Sequence, residues 1–199
     1  MEILYQDRHL AVVIKPVGVE SEKQLPQLLA QELGGRFYPV HRLDQNVGGV
    51  MVYARSGKAA AELSRQMQTG ALKKEYVALV HGTPPEAGDW TDLLFKDSRK
   101  NKVFVVKKER AGVKQAHLTY RRLEGGETSA VRICLDTGRS HQIRVQFASR
   151  GYPLVGDHKY GSRAKETAPM LWCCCLHFHG KEEMHFEKLP PWPIFTRQE

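Results

Sequence analysis

The stretch AHLTYRRLEGGETSAVRICLD, residues 116–136, indicates the fold class of this chain. It contains two runs typical of β-strands, 116–123 and 128–136, separated by a short polar turn. Strands that follow one another through so short a turn pair antiparallel. The stretch therefore predicts a β-hairpin, and the rest of the chain can be added outward from it.

Further strands and helices are predicted on both sides of this hairpin. Strands fit 2–14 (a pair turning at Asp7-Arg8), Val40–Asp44, Val50–Ala54, Lys74–His81, 103–107 and 171–178, and helices fit Leu25–Leu33, Ser56–Gln68 and Gln142–Arg150. Strands outnumber helices, so we expect an α+β protein with a mostly antiparallel mixed sheet and flanking helices. A chain of 199 residues can bury a core of its own, and we expect a single domain over 1–199.

The composition is that of a globular protein with a basic surplus. Apolar residues make up 41% and charged residues 26%, which argues against a fibrous, membrane-embedded or wholly disordered chain. The N-terminus does not resemble a signal peptide, and no apolar run approaches the roughly 18 residues of a membrane span, so we expect a cytoplasmic protein. Thirty basic against 22 acidic residues give a net charge of +8, which favours a polyanionic partner such as nucleic acid or an anionic membrane surface.

The whole surplus lies in one segment, Phe95–Arg122. This segment has ten basic and two acidic residues, whereas the rest of the chain has twenty of each sign. An evenly solvated hairpin would explain a more mixed pattern. We interpret the segment as a basic hairpin or arm at 95–122 that binds phosphates, with Lys107, Lys108 and Lys114 among its cations.

The four cysteines, Cys134 and Cys173–Cys175, do not fit the spacing of a disulfide framework or a zinc motif. We expect buried thiols on a core strand in a reducing compartment. In the alternative interpretation, strand alternation places Cys173, Cys175, His177 and His179 on one face as metal ligands.

Three polar clusters bounded by glycines are candidates for chemistry. Asp44 follows His41-Arg42-Leu43 and precedes the loop to Gly48-Gly49, where a capping or turn role is the alternative. On a strand, Arg42 would share the face of Asp44. The other two clusters are Asp136–Val145, whose Thr137-Gly138 loop has amides that suit a phosphate, and Gly156–Gly161.

Five motifs together resemble the RluA-type pseudouridine synthases, in family order and over nearly all 199 residues. They are Lys15-Pro16-Val17-Gly18, His41-Arg42-Leu43-Asp44, Lys74-Glu75-Tyr76, Thr137-Gly138-Arg139-Ser140-His141-Gln142-Ile143-Arg144-Val145, and Pro153-Leu154-Val155-Gly156-Asp157 with Tyr160-Gly161. The resemblance implies the family's catalytic fold, with an active-site cleft across the sheet. It also implies isomerisation of a uridine within RNA, without a cofactor or a metal.

The resemblance assigns three catalytic roles. Asp44 is the ionised carboxylate that acts on a flipped-out nucleotide, and attack on the sugar, attack on the base and a glycal intermediate all remain open. Arg144 is the cation that keeps Asp44 ionised. Tyr76 stacks on the uracil and helps to remove the proton from C5.

RNA contacts are implied for a further set of residues: Arg42, His41, Arg139, His141, Lys107, Lys108 and Lys114. Arg42 fills the gap left by the flipped base or holds a phosphate, Arg139 and His141 line the groove, and His41 is more of a hydrogen-bonding support. The expected partner is structured ribosomal or transfer RNA. We expect a monomer with no obligate protein partner and no membrane association.

The chain departs from the family pattern at two places. Val47-Gly48-Gly49 stands where the family has Thr-Ser-Gly, and we expect the glycines to keep a tight turn. Trp172-Cys173 replaces His-Ala before a late strand, which we interpret as repacking. We also expect no S4 RNA-binding domain, of the kind that many relatives carry, before Met1.

Two other functions compete with the enzyme. A catalytically weak RNA-binding module or RNA chaperone of the same fold needs only the basic arm and would not need Asp44, Tyr76 and Arg144. A metal-dependent nuclease using Asp44, Asp157 and the histidines lacks paired carboxylates at ligand spacing.

Overall fold

Strands make up most of the regular structure in residues 1–196, the part of the chain that this computed structural model describes. The elements are β1 (Glu2–Gln6), β2 (Leu10–Lys15), α1 (Gln24–Leu33), β3 (Tyr38–Pro39), β4 (Gly48–Ala54), α2 (Gly57–Thr69), β5 (Lys73–His81), β6 (Ala87–Asp97), β7 (Lys102–Val106), β8 (Val113–Glu124), β9 (Thr128–Leu135), α3 (Gln142–Ala148), β10 (Leu171–His179), β11 (Glu183–Glu187) and α4 (Pro193–Thr196). A 3-10 turn, His158–Tyr160, lies between α3 and β10.

The chain divides into two compact units. The first contains residues 1–75 and the C-terminal segment from Trp172, and the second contains Tyr76–Leu171. The expectation of one catalytic domain over 1–199 therefore stays a prediction, and its last three residues lie outside the described part of the chain.

The first unit is built on two strands whose side chains are buried on both faces. β2 pairs antiparallel with β1 on one side and with β4 on the other. β2 and β4 are continuous apolar runs because both of their faces pack, and each fully buried Val or Ile contributes about 1.5–3 kcal/mol. β10 begins in parallel with β4, opposite Gly48 and Gly49, and continues antiparallel to β11.

Two helices of this unit bury one stripe of side chains each. α1 buries Leu25 and Leu29, four residues apart, which is the spacing of one helix face. α2 buries Leu63 and Gln66. It begins after Ser56, whose hydroxyl caps the helix by accepting a hydrogen bond from the Ala59 N–H.

The second unit is an antiparallel sheet in the order β9-β8-β6-β7. Leu94, Val103 and Ala116 of this sheet form a core cluster with Val145 of α3. Trp90, Tyr120 and Phe147 form a second cluster, with ring centroids 4.5, 4.7 and 5.1 Å apart, at the edge-to-face distances that aromatic rings prefer.

The predicted α+β class and the mostly antiparallel sheet are confirmed, as are most of the predicted elements. The strand predicted for Val40–Asp44 is wrong, since only the preceding residues Tyr38–Pro39 pair in a ladder. The helix predicted for Gln142–Arg150 ends at Ala148, and β6 and β11 were not predicted. Among residues 1–196, no helix has both the length and the apolar character needed to cross a membrane.

Candidate active site

Asp44 lies in a loop of the first unit that is tied down on both sides. Before it, the Ser21 hydroxyl donates to the Leu43 carbonyl at 2.9 Å and the Leu43 N–H lies 3.3 Å from the same hydroxyl oxygen. After it, the Gly18 N–H donates to the Gln45 carbonyl at 2.9 Å, and the Gln45 amide returns a bond of 3.0 Å to the Gly18 carbonyl. The half-buried carboxylate is therefore presented by a loop that is anchored at both neighbours.

A buried ammonium group supports this loop from within. The Nζ of Lys15 donates to the carbonyls of Pro16, Val19 and Gln45 at 2.9, 2.6 and 3.0 Å, which uses all three of its hydrogens. Burial lowers the pKa of Lys15 to about 8, and the negative charge of Asp44 opposes this shift. Lys15 is thus electrostatically coupled to Asp44, and it was not among the site residues predicted from sequence.

Arg42 does not share a strand face with Asp44. Because residues 41–44 form no ladder, the premise of that prediction is wrong. The Arg42 side chain is 58% exposed and pairs with Glu22 at 3.1 Å. Its predicted contact with RNA stays a prediction, made from an exposed position on the loop.

His41 is buried beneath the same loop. Its Nε2 accepts a hydrogen bond of 3.2 Å from the Val52 N–H of β4. Burial, with a smaller contribution from Lys74, lowers the pKa of His41 to about 3, so the ring is neutral at physiological pH. This position favours the supporting role over direct contact with RNA.

In the second unit, Arg144 forms a buried, two-pronged ion pair with Asp157. Its Nε and Nη2 donate to the two carboxylate oxygens at 2.7 and 2.8 Å, and both side chains are almost fully buried. The guanidinium group also lies 5.2 Å from the ring centre of Tyr160. A bidentate pair of this kind fixes the plane of the guanidinium. The sequence analysis named Asp157 in a motif and in the nuclease alternative, but it did not predict the pair with Arg144, because thirteen residues separate the two partners.

Tyr76 is the first residue of the second unit and lies on β5. Its side chain is 5% exposed, in a strand whose burial alternates at its start. Its predicted role at the base stays a prediction.

The loop before α3 carries Arg139 and His141. Arg139 is exposed, and its Nε donates to the Gln115 carbonyl at 2.9 Å. His141 has a left-handed backbone with φ of 50°, and its Nδ1 lies 2.9 Å from the Tyr160 hydroxyl. That hydroxyl in turn accepts a bond from the Val103 N–H, so the loop is joined to β7 through one tyrosine.

The predicted basic arm corresponds to the end of β6, all of β7 and most of β8. Lys107 and Lys108 lie just after β7 and Lys114 lies on β8, and all three side chains are exposed. Arg110 stacks over the Phe95 ring, with its guanidinium carbon 4.3 Å from the ring centre. The arm therefore presents cations on a framework of paired strands.

The cysteines divide into two groups. Cys173, Cys174 and Cys175 are buried on β10 as expected, whereas Cys134 is exposed, so the expectation was wrong for that residue. A cavity of about 350 Å³ lies beside β10 and is lined by Lys73, Glu75, Cys175, His177, Glu183 and His185. Within residues 1–196, no three or more His, Cys, Asp or Glu side chains are arranged to hold a metal ion. This finding gives the metal interpretation of Cys173, Cys175, His177 and His179 no support.

Comparisons with known proteins agree with the motifs. The family described as RNA pseudouridylate synthase matches residues 9–149. An uncharacterized RNA pseudouridine synthase of Aquifex aeolicus is 34% identical over 219 aligned positions, which cover all of this chain and 69% of that protein. The dual-specificity RNA pseudouridine synthase RluA of Escherichia coli K12 is 37% identical over 182 positions, which cover 85% of this chain and 81% of RluA.

A solved structure shows the same fold. Human RNA pseudouridylate synthase domain containing 1 superposes with a TM-score of 0.84 at 25% identity, over 96% of this chain and 83% of that one. Fold and motifs together define an RNA-modifying isomerase. The chain belongs to the RNA pseudouridine synthase family, as a member of the RluA type, and it is an enzyme that isomerises uridine.

Proposed function

We propose that the protein converts a specific uridine of ribosomal or transfer RNA into pseudouridine, with Asp44 as the nucleophile that acts on a flipped-out nucleotide. In this reaction the bond from N1 to the sugar breaks and a bond from C5 to the sugar forms. The C5 proton leaves to solvent, and N1 takes up a proton from solvent, so the product is an isomer of the substrate. The observation that carries the proposal is the anchored Asp44 loop with the Lys15 ammonium behind it.

The environment of Asp44 suits a nucleophile, because the loop that carries it is held in place. Its two chain neighbours, Leu43 and Gln45, are held by hydrogen bonds to residues 18 and 21, so the backbone is fixed on both sides of the carboxylate. Preorganisation of this kind keeps a reacting group in place before the substrate arrives. The Lys15 ammonium, whose own pKa responds to the charge of Asp44, places a positive charge close to the reacting group.

Tyr76 and Arg144 are proposed as its partners in catalysis. Arg144 is oriented by the bidentate pair with Asp157, so a rigid cation is available for a negatively charged group. Tyr76 supplies an aromatic face for the base and a hydroxyl for proton removal at C5.

RNA binding is proposed for the basic arm and for the loop before α3. The exposed side chains of Lys107, Lys108 and Lys114 suit phosphates, since cations on a firm framework displace the counterions of RNA. Arg139 and His141 lie on the loop before α3, and Arg42 is exposed on the Asp44 loop. We also propose that the protein acts as a monomer on cellular RNA in the cytoplasm.

The decisive experiment measures tritium release from RNA labelled at uracil C5. The protein is incubated with labelled bulk ribosomal or transfer RNA in the presence of a chelator. We expect release in proportion to the pseudouridine formed, because the C5 hydrogen is lost in every turnover. No release from either RNA class would contradict the proposed substrates.

A matched pair of variants separates the enzyme from a mere RNA-binding module. Asp44→Asn should reduce release by at least about 10³-fold, because an amide at that position does not act as a nucleophile. Glu62→Gln, the same chemical change on the exposed face of α2, should leave release unchanged. Full release by Asp44→Asn would overturn the assignment of the nucleophile. RNA binding without release by the wild type would favour the binding module.

A further inference from the structure

His117 of β8 lies between two acidic side chains. Its Nε2 is 2.7 Å from a carboxylate oxygen of Asp89 on β6, and its Nδ1 is 2.5 Å from a carboxylate oxygen of Asp136, just after β9. An ionised carboxylate only accepts hydrogen bonds, whereas a neutral imidazole has a single N–H. Both contacts are satisfied only when both ring nitrogens carry hydrogen, so this geometry requires an imidazolium ion.

Both the backbone and the ring of His117 bind the segment 136–142. The His117 N–H donates to the Thr137 hydroxyl at 2.9 Å, and the His117 carbonyl accepts from the Gln142 side-chain amide at 2.9 Å. The Gln142 carbonyl oxygen accepts in turn from the Thr137 hydroxyl at 2.8 Å and from the Arg139 N–H at 3.0 Å. Three of the four polar groups of residue 117 therefore bind the segment 136–142, and the fourth binds β6.

The groups around the ring favour its charged form. Hydrogen bonds to Asp89 and then to Asp136 are the main causes that raise the pKa of His117 above its ordinary value. On β6 its register partner is the uncharged Thr91. On β8 its neighbours on the same face, Gln115 and Thr119, are also uncharged, and the exposed Cys134 thiol of β9 lies opposite Thr119. The cation of the loop, Arg139, is bonded to the Gln115 carbonyl.

We propose that His117, as an imidazolium ion, is a positioning residue that holds the segment 136–142 in the conformation that binds RNA. The proposal rests on the proposed function, because Arg139 and His141 belong to that segment.

The sign of the pH effect follows from the bridge. A histidine whose pKa is raised by folding stabilises the folded arrangement at low pH, and this contribution is lost as pH rises through the raised value. One ring nitrogen then faces a carboxylate with its lone pair, and two carboxylates remain without their shared counter-charge. The segment should loosen and its affinity for RNA should fall as pH increases.

The first test observes the ring and the loop without RNA. The protein is labelled at its histidines and backbone amides, the His117 ring signal is assigned with His117→Gln, and spectra are recorded from about pH 6 to pH 9. We expect His117 to titrate above the ordinary histidine value, and the amides of 137–142 to shift with the same midpoint. Asp136→Asn, which keeps the histidine, should lower that midpoint. A ring that titrates at or below the ordinary value, or loop amides that do not follow it, would overturn the proposal.

The second test measures affinity for bulk transfer RNA over the same pH range. The wild type should lose affinity about 2- to 5-fold as pH rises. His117→Gln should bind more weakly at low pH and should lose most of this pH dependence. His9→Gln, at the exposed turn between β1 and β2, serves as the matched control and should keep the wild-type profile. A wild-type profile of His117→Gln would contradict the proposal. If His117→Gln does not fold, Asp136→Asn takes its place, and a wild-type profile of that variant would contradict the proposal in the same way. An absence of tritium release would contradict the proposed function but not the role of His117 in holding the loop, because the titration of the loop is measured without RNA.

Discussion

At the scale of single residues, two buried basic side chains lie beneath the loop of Asp44, and one of them is charged while the other is neutral. Lys15 donates all three of its hydrogens to backbone carbonyls, and His41 accepts one bond as a neutral ring. The sequence places both residues within motifs, but it did not predict that Lys15 would bind three carbonyls or that His41 would act as a neutral acceptor. The three carbonyls come from two separate loops, and the donor to His41 is eleven residues away on β4.

His41 should make the protein sensitive to acid. Its pKa is about 3 when folded, against an ordinary value of 6.5, so below pH 6.5 the unfolded chain binds a proton that the folded chain does not. The free energy of unfolding should therefore decrease by about 1.4 kcal/mol for each pH unit below that value. Urea unfolding at pH 7 and pH 5 should show a smaller decrease for His41→Gln than for the wild type. Equal decreases would contradict a neutral, buried His41.

Lys15 should be needed for both stability and activity. Lys15→Met keeps the length of the side chain but leaves three carbonyls without their donor, which should cost about 3 kcal/mol in urea unfolding. Tritium release should fall as well, even at temperatures where the variant is folded, because the loop around Asp44 loses its internal support. Lys58→Met, at an exposed site on α2, is the control and should change neither quantity. Full activity of folded Lys15→Met would show that the ammonium does not position the loop.

At the scale of elements, the start of β4 explains the departure from the family pattern. Gly48 and Gly49 do not form the tight turn expected from the sequence, since they are the first residues of a strand opposite Trp172 and Cys173. A Cβ at Gly48 would lie 2.4 Å from the indole ring of Trp172. The two departures are therefore linked, because the indole ring of Trp172 occupies the space that a side chain at position 48 would need.

This pairing predicts a rescue between β4 and β10. Gly48→Ser should cost about 2 kcal/mol of unfolding free energy, because its Cβ meets the indole ring of a well-packed core. Trp172→His makes room for that side chain, so the double variant should recover at least half of the loss. Urea unfolding of the four proteins gives the coupling energy directly. Additive effects would show that the indole ring is not the obstacle.

The neighbouring glycine supplies the contrast to this rescue. Gly49 has φ of +129°, and a Cβ there would lie 2.3 to 2.8 Å from backbone atoms of Cys173. Backbone does not move aside as a side chain does, so Gly49→Ala should remain destabilised in the Trp172→His background. Rescue of Gly49→Ala by that change would contradict the assignment of the obstacle to the backbone.

The predicted elements were right where the buried residues also form the backbone hydrogen bonds of a strand or helix. They were wrong where residues are buried without forming those bonds. Val50–Ala54 and Leu25–Leu33 bury their apolar side chains within regular ladders or turns, so their patterns indicated the correct structure. His41 and Leu43 are buried and Arg42 between them is exposed, which imitates a strand. The Leu43 N–H, however, points to the Ser21 hydroxyl rather than to a neighbouring strand. β11 was missed because its five residues alternate between exposed and half-buried positions without a strong apolar pattern.

At the scale of the whole molecule, charge and chemistry are divided along the chain. The segment 95–122 carries the net charge of +8, whereas Asp44 belongs to a part of the sequence in which charges of the two signs balance. The sequence alone predicted this division, because counting the basic and acidic residues along the chain is enough to find it. The bonds that make the groups effective join residues far apart in sequence, such as Arg144 with Asp157 and His117 with Asp89.

This division predicts that RNA affinity and catalytic rate can be changed separately. Replacing Lys107, Lys108 and Lys114 by glutamine should weaken binding to RNAs of any sequence, and should reduce the slope of log affinity against log salt by about 2. In tritium release, KM should rise while kcat at saturating RNA stays near the wild-type value, because no group at the reacting base has changed. The matched control replaces three exposed lysines of the other unit, Lys23, Lys58 and Lys181, and should leave the salt slope unchanged. An unchanged affinity in the first variant would mean that the basic strands are only a solvated surface, and a loss of kcat with unchanged KM would place these lysines at the chemistry instead.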